Sequence, residues 1–326
     1  MQGPPLAFPG ARKIKDLLLP KMRSPCLKTL AELYRTRDDL IRAFPEVVRG
    51  DLRGLVRWAV TYGVTVDPAK RLLEPCANEY RELLHSSRLS DYRMDKVRSA
   101  LSKKYLQGVG VDIGPLQKPF QAVNNGCVIL KADIYPRQKL VELYPEILPE
   151  SISQPNILCD GETLATFRGA SVDFVIASHV LEHLRNPIGA IENWTSVLKE
   201  GGYLVMLVPH KGFTFDKERP LTEIHHLLQD YRSIPEELAT RDFVHYLEWA
   251  RLVEKKAEEE IEARAKVLQA QGYSIHRHVF DETSWSGLMS LVQSKMGFPF
   301  KIVESCFCSE TAELVTVCEK RRERAR

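Results

Sequence analysis

The chain has 326 residues, 44% of them hydrophobic and 27% charged. At about 150 residues per domain that leaves room for roughly two units, and this apolar content can bury a core, which excludes a disordered chain. Lys and Arg number 46 against 43 Asp and Glu, a net charge of +3, too balanced to select nucleic acid or an anionic membrane as partner. No stretch approaches the roughly 18–20 uncharged apolar residues of a membrane span. The start, MQGPPLAFPGARKIKDLLLPK, lacks a continuous apolar run, so no signal peptide is expected. The 7 cysteines are odd in number and form no CxxC pair. They predict reduced thiols in a cytoplasmic protein, with no disulfide frame and no cysteine zinc site.

Residues 1–105 predict helices. TLAELYRTRDDLIRAF and DLRGLVRWAVTYGV carry apolar residues at mostly helical spacing, and LLEPCANEYRELLHSSRL resumes the pattern after Pro75. No chemistry-bearing cluster occurs there, so the segment is expected to be an accessory region, a surface for a protein partner or for self-association. From about residue 106 short apolar runs alternate with helical patterns. Strands are predicted at 108–114, 127–134, from 156, at 172–179 and at 203–210, which is the rhythm of a parallel doubly wound sheet. FKIVESCF (300–307) and AELVTVCEK (312–320) are separated by four residues, too few for a crossover, so they form an antiparallel hairpin. The result is a seven-stranded, Rossmann-like, mostly parallel sheet with a reversed last strand. An insertion at about 211–285 precedes the hairpin. Its charged run EWARLVEKKAEEEIEARAKVLQAQ reads as one solvated helix.

Ligands of such sheets sit at the carboxyl ends of the strands. The GxGxxG of a dinucleotide fold is absent: Gly108 and Gly110 precede the strand core, Ile113 holds the third position, and only Gly114 lies in the turn. NAD and FAD are therefore disfavoured. VDIG, an acid at the end of the second strand, CDGE, DFVIASHVLEHLRNP and LKEGGYLVMLVP together resemble the class I S-adenosylmethionine (SAM)-dependent methyltransferases over about residues 106–320. The resemblance is most specific from Asp173 to Pro209. The family usually has three glycines in the first turn; here Pro115, Leu116 and Gln117 fill it, as in a narrower group with DIG or EIG before a proline-containing segment.

The resemblance implies SAM as cofactor. Gly114 admits close backbone approach, and Asp112 beside it orients the amino group. Asp133 accepts from the ribose hydroxyls, and Asp160, with the backbone of Gly161, meets the adenine. Ser178 and His179 lie beside the methionine moiety. A lone strand-end aspartate is also an ordinary turn residue, and that reading stands beside each assignment.

Eight of the nine histidines fall between His179 and His278. His179, Glu182 and His183 (HVLEH) share one face of a helix beginning near 179, and His210 ends the fifth strand. Three readings stay open. One imidazole is a general base, with His183, His210 and Glu182 as the catalytic candidates. Alternatively the cluster binds a divalent metal through His179, Glu182, His183 and His278, since HVLEH with a downstream histidine is similar to the ExxEH…H pattern of metal-dependent RNA 2′-O-methyltransferases. That reading is the less favoured, because His179 replaces the first glutamate. In the third, Glu182 and His183 pair to fix the loop. His225, His226 and His245 are expected on the surface or the lid, and His276 and His278 are expected to fold back.

HKGFTFDKERPLTEIHHLLQDYR mixes charge and aromatics after the fifth strand, which suits a hydroxyl-rich small-molecule or glycan acceptor. It resembles a methyltransferase subgroup found with sugar and surface-glycan machinery, and LYRTRDDLIRAFP is similar to helical pieces beside bacterial glycosyltransferases. The expected activity is methyl transfer from SAM to an acceptor oxygen, a sugar hydroxyl by preference. The rival is a non-catalytic relative that docks partners through its N-terminal helices.

Overall fold

A computed structural model describes residues 93–144 and 147–321. The chain divides into two compact units, Met1–Arg93 with Tyr144–Pro149, and Met94–Leu143 with Glu150–Arg326. The helices expected over residues 1–92 lie outside the described residues. All the chemistry-bearing candidates belong to the second unit.

That unit is built on a sheet of seven strands in the order β3-β2-β1-β4-β5-β7-β6. Helix α1 (residues 93–105) leads into β1 (Val109–Ile113), followed by β2 (Val128–Asp133), α2 (Arg137–Leu143), β3 (Ile157–Leu158) and β4 (Val172–Ser178). Then come α3 (Pro187–Val197) and the long β5 (Leu198–Pro209). The insertion contributes α4 (Ile224–Arg232), α5 (Pro235–Glu248) and α6 (Glu258–Ala270), and α7 (Glu282–Ser290) returns the chain to β6 (Phe300–Cys308) and β7 (Glu313–Lys320). β1, β2, β3, β4 and β5 pair in parallel, whereas β7 runs antiparallel to both β5 and β6. The reversed strand expected from the short 308–311 link is β7.

The pleat sorts the core. Val111, Ile113, Val175, Ala177, Met206 and Val208 join Ile188, Ile191 and Trp194 of α3 and Trp285 and Leu288 of α7 in one layer. Phe174, Ile176, Val205, Leu207, Val315 and Val317 point the other way and meet Leu101 and Tyr105 of α1 and Phe120. The middle of β4 is buried on both faces, hence its apolar run FVIA between Asp173 and Ser178. Each fully buried large side chain in these layers contributes about 1.5–3 kcal/mol.

Local chemistry sets the helix starts. Asn186 caps α3 by accepting from the Gly189 amide, with Pro187 at the first turn. Asp281 and Ser284 form a reciprocal capping box for α7. Two helical expectations are corrected. The charged run after Glu248 is not one helix: a π turn (Trp249–Val253) is followed by Lys255 at φ +53°, and α6 starts only at Glu258. Nor does a helix begin at 179. His179 sits at φ +56° and Leu181–His183 form a single 3₁₀ turn.

β1 lies between β2 and β4, so the chain leaves it in one direction for β2 and returns on its other side for β4. Strand order therefore reverses at the β1/β4 boundary, and the carboxyl ends there border the crevice where ligands of open α/β sheets bind.

Candidate active site

The turn after β1 carries Gly114 at φ +55°, a left-handed conformation in which a side chain is strained. Its amide donates to the Ala132 carbonyl of β2 (2.8 Å), and the Cys159 amide donates to the Asp133 carbonyl (2.9 Å), so the ends of β1, β2 and β3 stay in step. Asp133 is half-buried and accepts from the Tyr135 amide at 3.1 Å through Oδ1. Burial pushes its carboxyl above the ordinary range. Asp160 is exposed and accepts from the Glu162 amide at 2.8 Å, also through Oδ1. Each aspartate thus turns its own loop with one oxygen.

The Asp160–Gly161 turn is bolted to α3. Trp194 Nε1 donates to the Gly161 carbonyl at 2.7 Å, Asn193 to the Glu162 carbonyl, and the Glu162 carboxylate accepts from the amides of Arg185 and Asn186. A Cβ at Gly161 would lie 2.6 Å from Ile113 Cγ2, so only glycine brings this backbone against the end of β1.

Asp112 is fully buried. One oxygen accepts from the Phe120 amide at 2.9 Å; the other, Oδ1, has no hydrogen-bond partner. Burial pushes its carboxyl up to about 7, against the Phe120 bond and the charge of Arg98. Arg98 is a residue the sequence pattern did not single out. It projects from α1, donates to Ser178 Oγ at 2.9 Å and lies 3.7 Å from Glu313 Oε1. Its Nε and Nη1 are buried without partners. A buried guanidinium and a buried carboxylate, each with an unmet bonding direction, cost free energy unless something completes them.

Beyond β4 the candidates converge on Glu182, which is buried with both carboxylate oxygens unpartnered and, through burial, an elevated pKa. His179 Nδ1 lies 3.7 Å, His183 Nε2 3.8 Å and His276 Nε2 4.0 Å from Glu182 Oε1. The i, i+3, i+4 face read as a helix is a strained bend plus one 3₁₀ turn, yet it gathers the same three side chains. His179 also meets Glu313 at 2.8 Å. Burial opposes its protonation, but the Glu313 bond and the Glu182 charge outweigh that and raise its pKa. His183 Nδ1 donates to the Ile275 carbonyl at 2.9 Å, which leaves Nε2 as the free lone pair. Burial pulls its pKa down to about 3, so the ring is neutral at physiological pH. His276 bonds Asp216 at 2.6 Å, and Arg219 locks Asp216 from the other side at 2.7 Å.

His210, the other base candidate, is tied at both nitrogens: Nε2 to Glu282 at 2.6 Å and Nδ1 to the Gly212 amide at 3.0 Å. His276 folds back onto the Glu182 centre. His278 does not join His179, Glu182 and His183; its ring faces His226 and His245, with centroids 5.7 and 5.2 Å away. His225 is exposed, but His245, expected at the surface, is buried and His226 half-buried. Arg98 and Glu313 are the additions to the candidates, beside Asp216 and His276 from segments already singled out. The only sequence signal for Arg98 and Glu313 was their charge, which reads as solvated surface.

Phe213 and Phe215 are 62% and 51% exposed. Phe215 lies 4.6 Å from His276 and 5.0 Å from Trp249, centroid to centroid. Aromatic faces therefore stand next to the imidazoles.

A strand-order reversal flanked by acids, with β7 reversed, makes this a Rossmann-like sheet of the kind the sequence resemblance implies. Residues 108–206 match a family model described as a methyltransferase domain, so this stretch of the chain is similar to that family. Among solved structures, a putative methyltransferase from Haloferax volcanii in complex with the activator Trm112 is similar at 13% identity and TM-score 0.40, covering 73% of this chain and 94% of that one. A possible histamine N-methyltransferase from Thermotoga maritima is similar at 16% identity and TM-score 0.38, covering 76% and 98%. The N-methyltransferase NodS from Bradyrhizobium japonicum, in complex with S-adenosyl-L-homocysteine, is similar at 15% and 0.35, covering 73% and 88%. No curated protein sequence matches the chain.

Proposed function

We propose that the chain methylates a hydroxyl of a sugar or glycan intermediate, with S-adenosylmethionine as donor. The observation that carries the cofactor assignment is the buried pair Arg98 and Asp112 near Ser178, each with unpartnered atoms. An amino-acid end, carboxylate and ammonium together, has the complementary charges. Arg98 and Ser178 would take the carboxylate and Asp112 the ammonium. Asp133 would accept from the ribose hydroxyls through its second oxygen. Asp160 would accept from the adenine amino group, with Gly161 against the ring. The cofactor supplies an activated methyl group, so the protein's share of the work is alignment, desolvation and management of one proton.

His183 is the base in this reading. Its Nδ1 is held by a carbonyl and its Nε2 is free to accept a proton, with Glu182 beside it to offset the burial that weakens the ring as a base. As the acceptor oxygen takes the methyl group and the donor's carbon–sulfur bond breaks to leave S-adenosylhomocysteine, the acceptor's proton would pass to His183 Nε2. Glu182, 3.8 Å away, then stabilises the imidazolium. His179, held between Glu313 and Glu182, is a positioning residue at the cofactor edge. The exposed Phe213 and Phe215 rings beside the imidazoles suit an acceptor with apolar C–H faces and hydroxyl edges, which is the surface of a sugar.

The test is calorimetric titration with S-adenosylhomocysteine, followed by methyl transfer from labelled SAM to a panel of sugars, nucleotide sugars and biogenic amines. Binding with transfer to hydroxyl acceptors supports the reading. Transfer confined to amines would replace the acceptor class, and folded protein that binds no S-adenosylhomocysteine would end the proposal.

A further inference from the structure

We propose that His226, Asp230, His245 and His278 form a structural zinc site that ties the insertion helices to the segment returning the chain to the sheet. These residues lie outside the cofactor edge and outside the Glu182 centre. Each offers one ligand atom, and the four atoms all lie within 4.8 Å of one another. His226 Nε2 is 3.2 Å from His245 Nε2 and 3.1 Å from Asp230 Oδ2. Tetrahedral zinc, with bonds of about 2.0–2.2 Å to nitrogen and oxygen, sets its ligand atoms roughly 3.3–3.5 Å apart. These two separations need to open by only a few tenths of an ångström, and the wider ones, up to 4.8 Å, to close.

The chemistry of the cluster asks for a cation. His278 is 1% exposed, and neither of its ring nitrogens has a hydrogen-bond partner. Asp230 is 1% exposed, and its Oδ2 is also without a hydrogen bond. Three imidazoles around one carboxylate cannot satisfy one another with the protons available, since a neutral ring donates once and accepts once. An ion at the centre accepts a lone pair from all four. Nitrogen-rich donors with one carboxylate suit zinc better than calcium or magnesium, which take oxygen sets. Four protein ligands leave no open position, which is the pattern of structural rather than catalytic zinc. The side chain of His226 is 30% exposed and provides the way in.

The outer groups support the same assignment. Arg241 Nε donates to Asp230 Oδ1 at 2.7 Å and fixes the carboxylate with Oδ2 toward the histidines. Arg241 Nη2 also lies 3.3 Å from His226 Nδ1, at the long end of a hydrogen bond. Ligation through Nε2 makes that Nδ1 a donor, so the guanidinium must turn toward the His226 carbonyl, 3.5 Å away. His226 and Asp230 sit one turn apart on α4 and His245 comes from α5. His278 follows α6, so the ion would clamp three successive pieces of the insertion.

The experiment uses full-length protein expressed without a histidine tag in zinc-supplemented medium, dialysed and analysed for metals. About one zinc per chain is expected, as a closed four-ligand site requires. His226→Ala, the most exposed ligand and so the substitution most compatible with folding, should lose most of it. Arg241→Ala should weaken zinc binding by about 10- to 100-fold. Cobalt(II) added to chelator-stripped protein should give the strong visible bands of a tetrahedral centre, absent in His226→Ala. Binding of S-adenosylhomocysteine is measured on the same His226→Ala sample, so a failed cofactor assignment and a failed metal assignment stay separate. No zinc in the purified protein, with no cobalt bands and no rise in unfolding temperature on adding zinc, would overturn the proposal. So would zinc that survives His226→Ala and Asp230→Asn but is lost in Glu182→Gln.

Discussion

Arg98 Nη2 donates to Ser178 Oγ across 2.9 Å, joining the helix that precedes the sheet to the end of β4. The contact brings a guanidinium to the place where strand order reverses, and it leaves two of its nitrogens uncommitted. If those nitrogens take the amino-acid carboxylate, Arg98→Gln should weaken S-adenosylhomocysteine by about 1.5–3 kcal/mol, the worth of a charge-assisted bond. 5′-Methylthioadenosine lacks that carboxylate and should bind the variant as it binds the parent. Equal losses for the two ligands in calorimetry would mean that Arg98 acts only on the fold.

Asp133→Asn tests the ribose end. The carboxylate already turns its own loop through Oδ1, and Asn keeps that acceptor. What it loses is a charged acceptor for two hydroxyls, so affinity should fall by about 1–3 kcal/mol for S-adenosylhomocysteine and methylthioadenosine alike. Thermal stability should hardly change. An unaltered dissociation constant would remove Asp133 from the ribose site.

Asp112 predicts a proton signature. Burial holds its carboxyl at about 7, so near neutrality a large fraction is protonated. An ammonium placed beside it favours the charged form, and binding should release protons between about pH 6 and 8. Calorimetry in two buffers of different ionisation enthalpy should read this directly. The sign for stability follows from the same shift. Between the ordinary carboxyl range and pH 7 the folded chain keeps a proton that the unfolded chain has lost, so stability falls as pH rises through that window. Asp112→Asn should flatten the slope; a slope that persists would place its source elsewhere.

His183→Ala should lower kcat by about 100- to 10,000-fold, the usual contribution of a positioned base, while S-adenosylhomocysteine affinity stays within about twofold. His183→Gln keeps some hydrogen bonding without basicity and should recover folding but not rate. A KM effect with unchanged kcat would assign the ring to acceptor binding instead.

The sheet was legible because its strands are short apolar runs punctuated by glycine and helical periodicity. The reversed β7 followed from a link too short to cross over. The carboxylates at the strand ends were legible as types at positions, though not the half of each that turns its own loop. HVLEH drew attention through spacing. The spacing argument supposed a helix, whereas the chain gathers the group by a left-handed bend at His179. Arg98 was hidden because an arginine in a charged amphipathic helix looks like solvated surface until the sheet edge is placed over it. His245 was hidden similarly: α5 is polar on most faces, and nothing in its period separates a buried histidine from an exposed one. The break at Lys255 carries no proline or glycine to announce it.

The backbone amides of Arg277 and His278 both donate to the carbonyl of Glu182, at 2.7 and 3.1 Å. These main-chain bonds join the side-chain ties of His183 and Arg277 in holding the returning segment to the reaction centre. The stretch from 275 onward is thus held to the core by its own backbone, whereas the helices from 224 to 270 reach it through side chains such as Asp242, which pairs with Arg277. An acceptor-swapping chimera with its downstream junction before Ile275 keeps the weld intact, and one with its junction after His278 cuts through it.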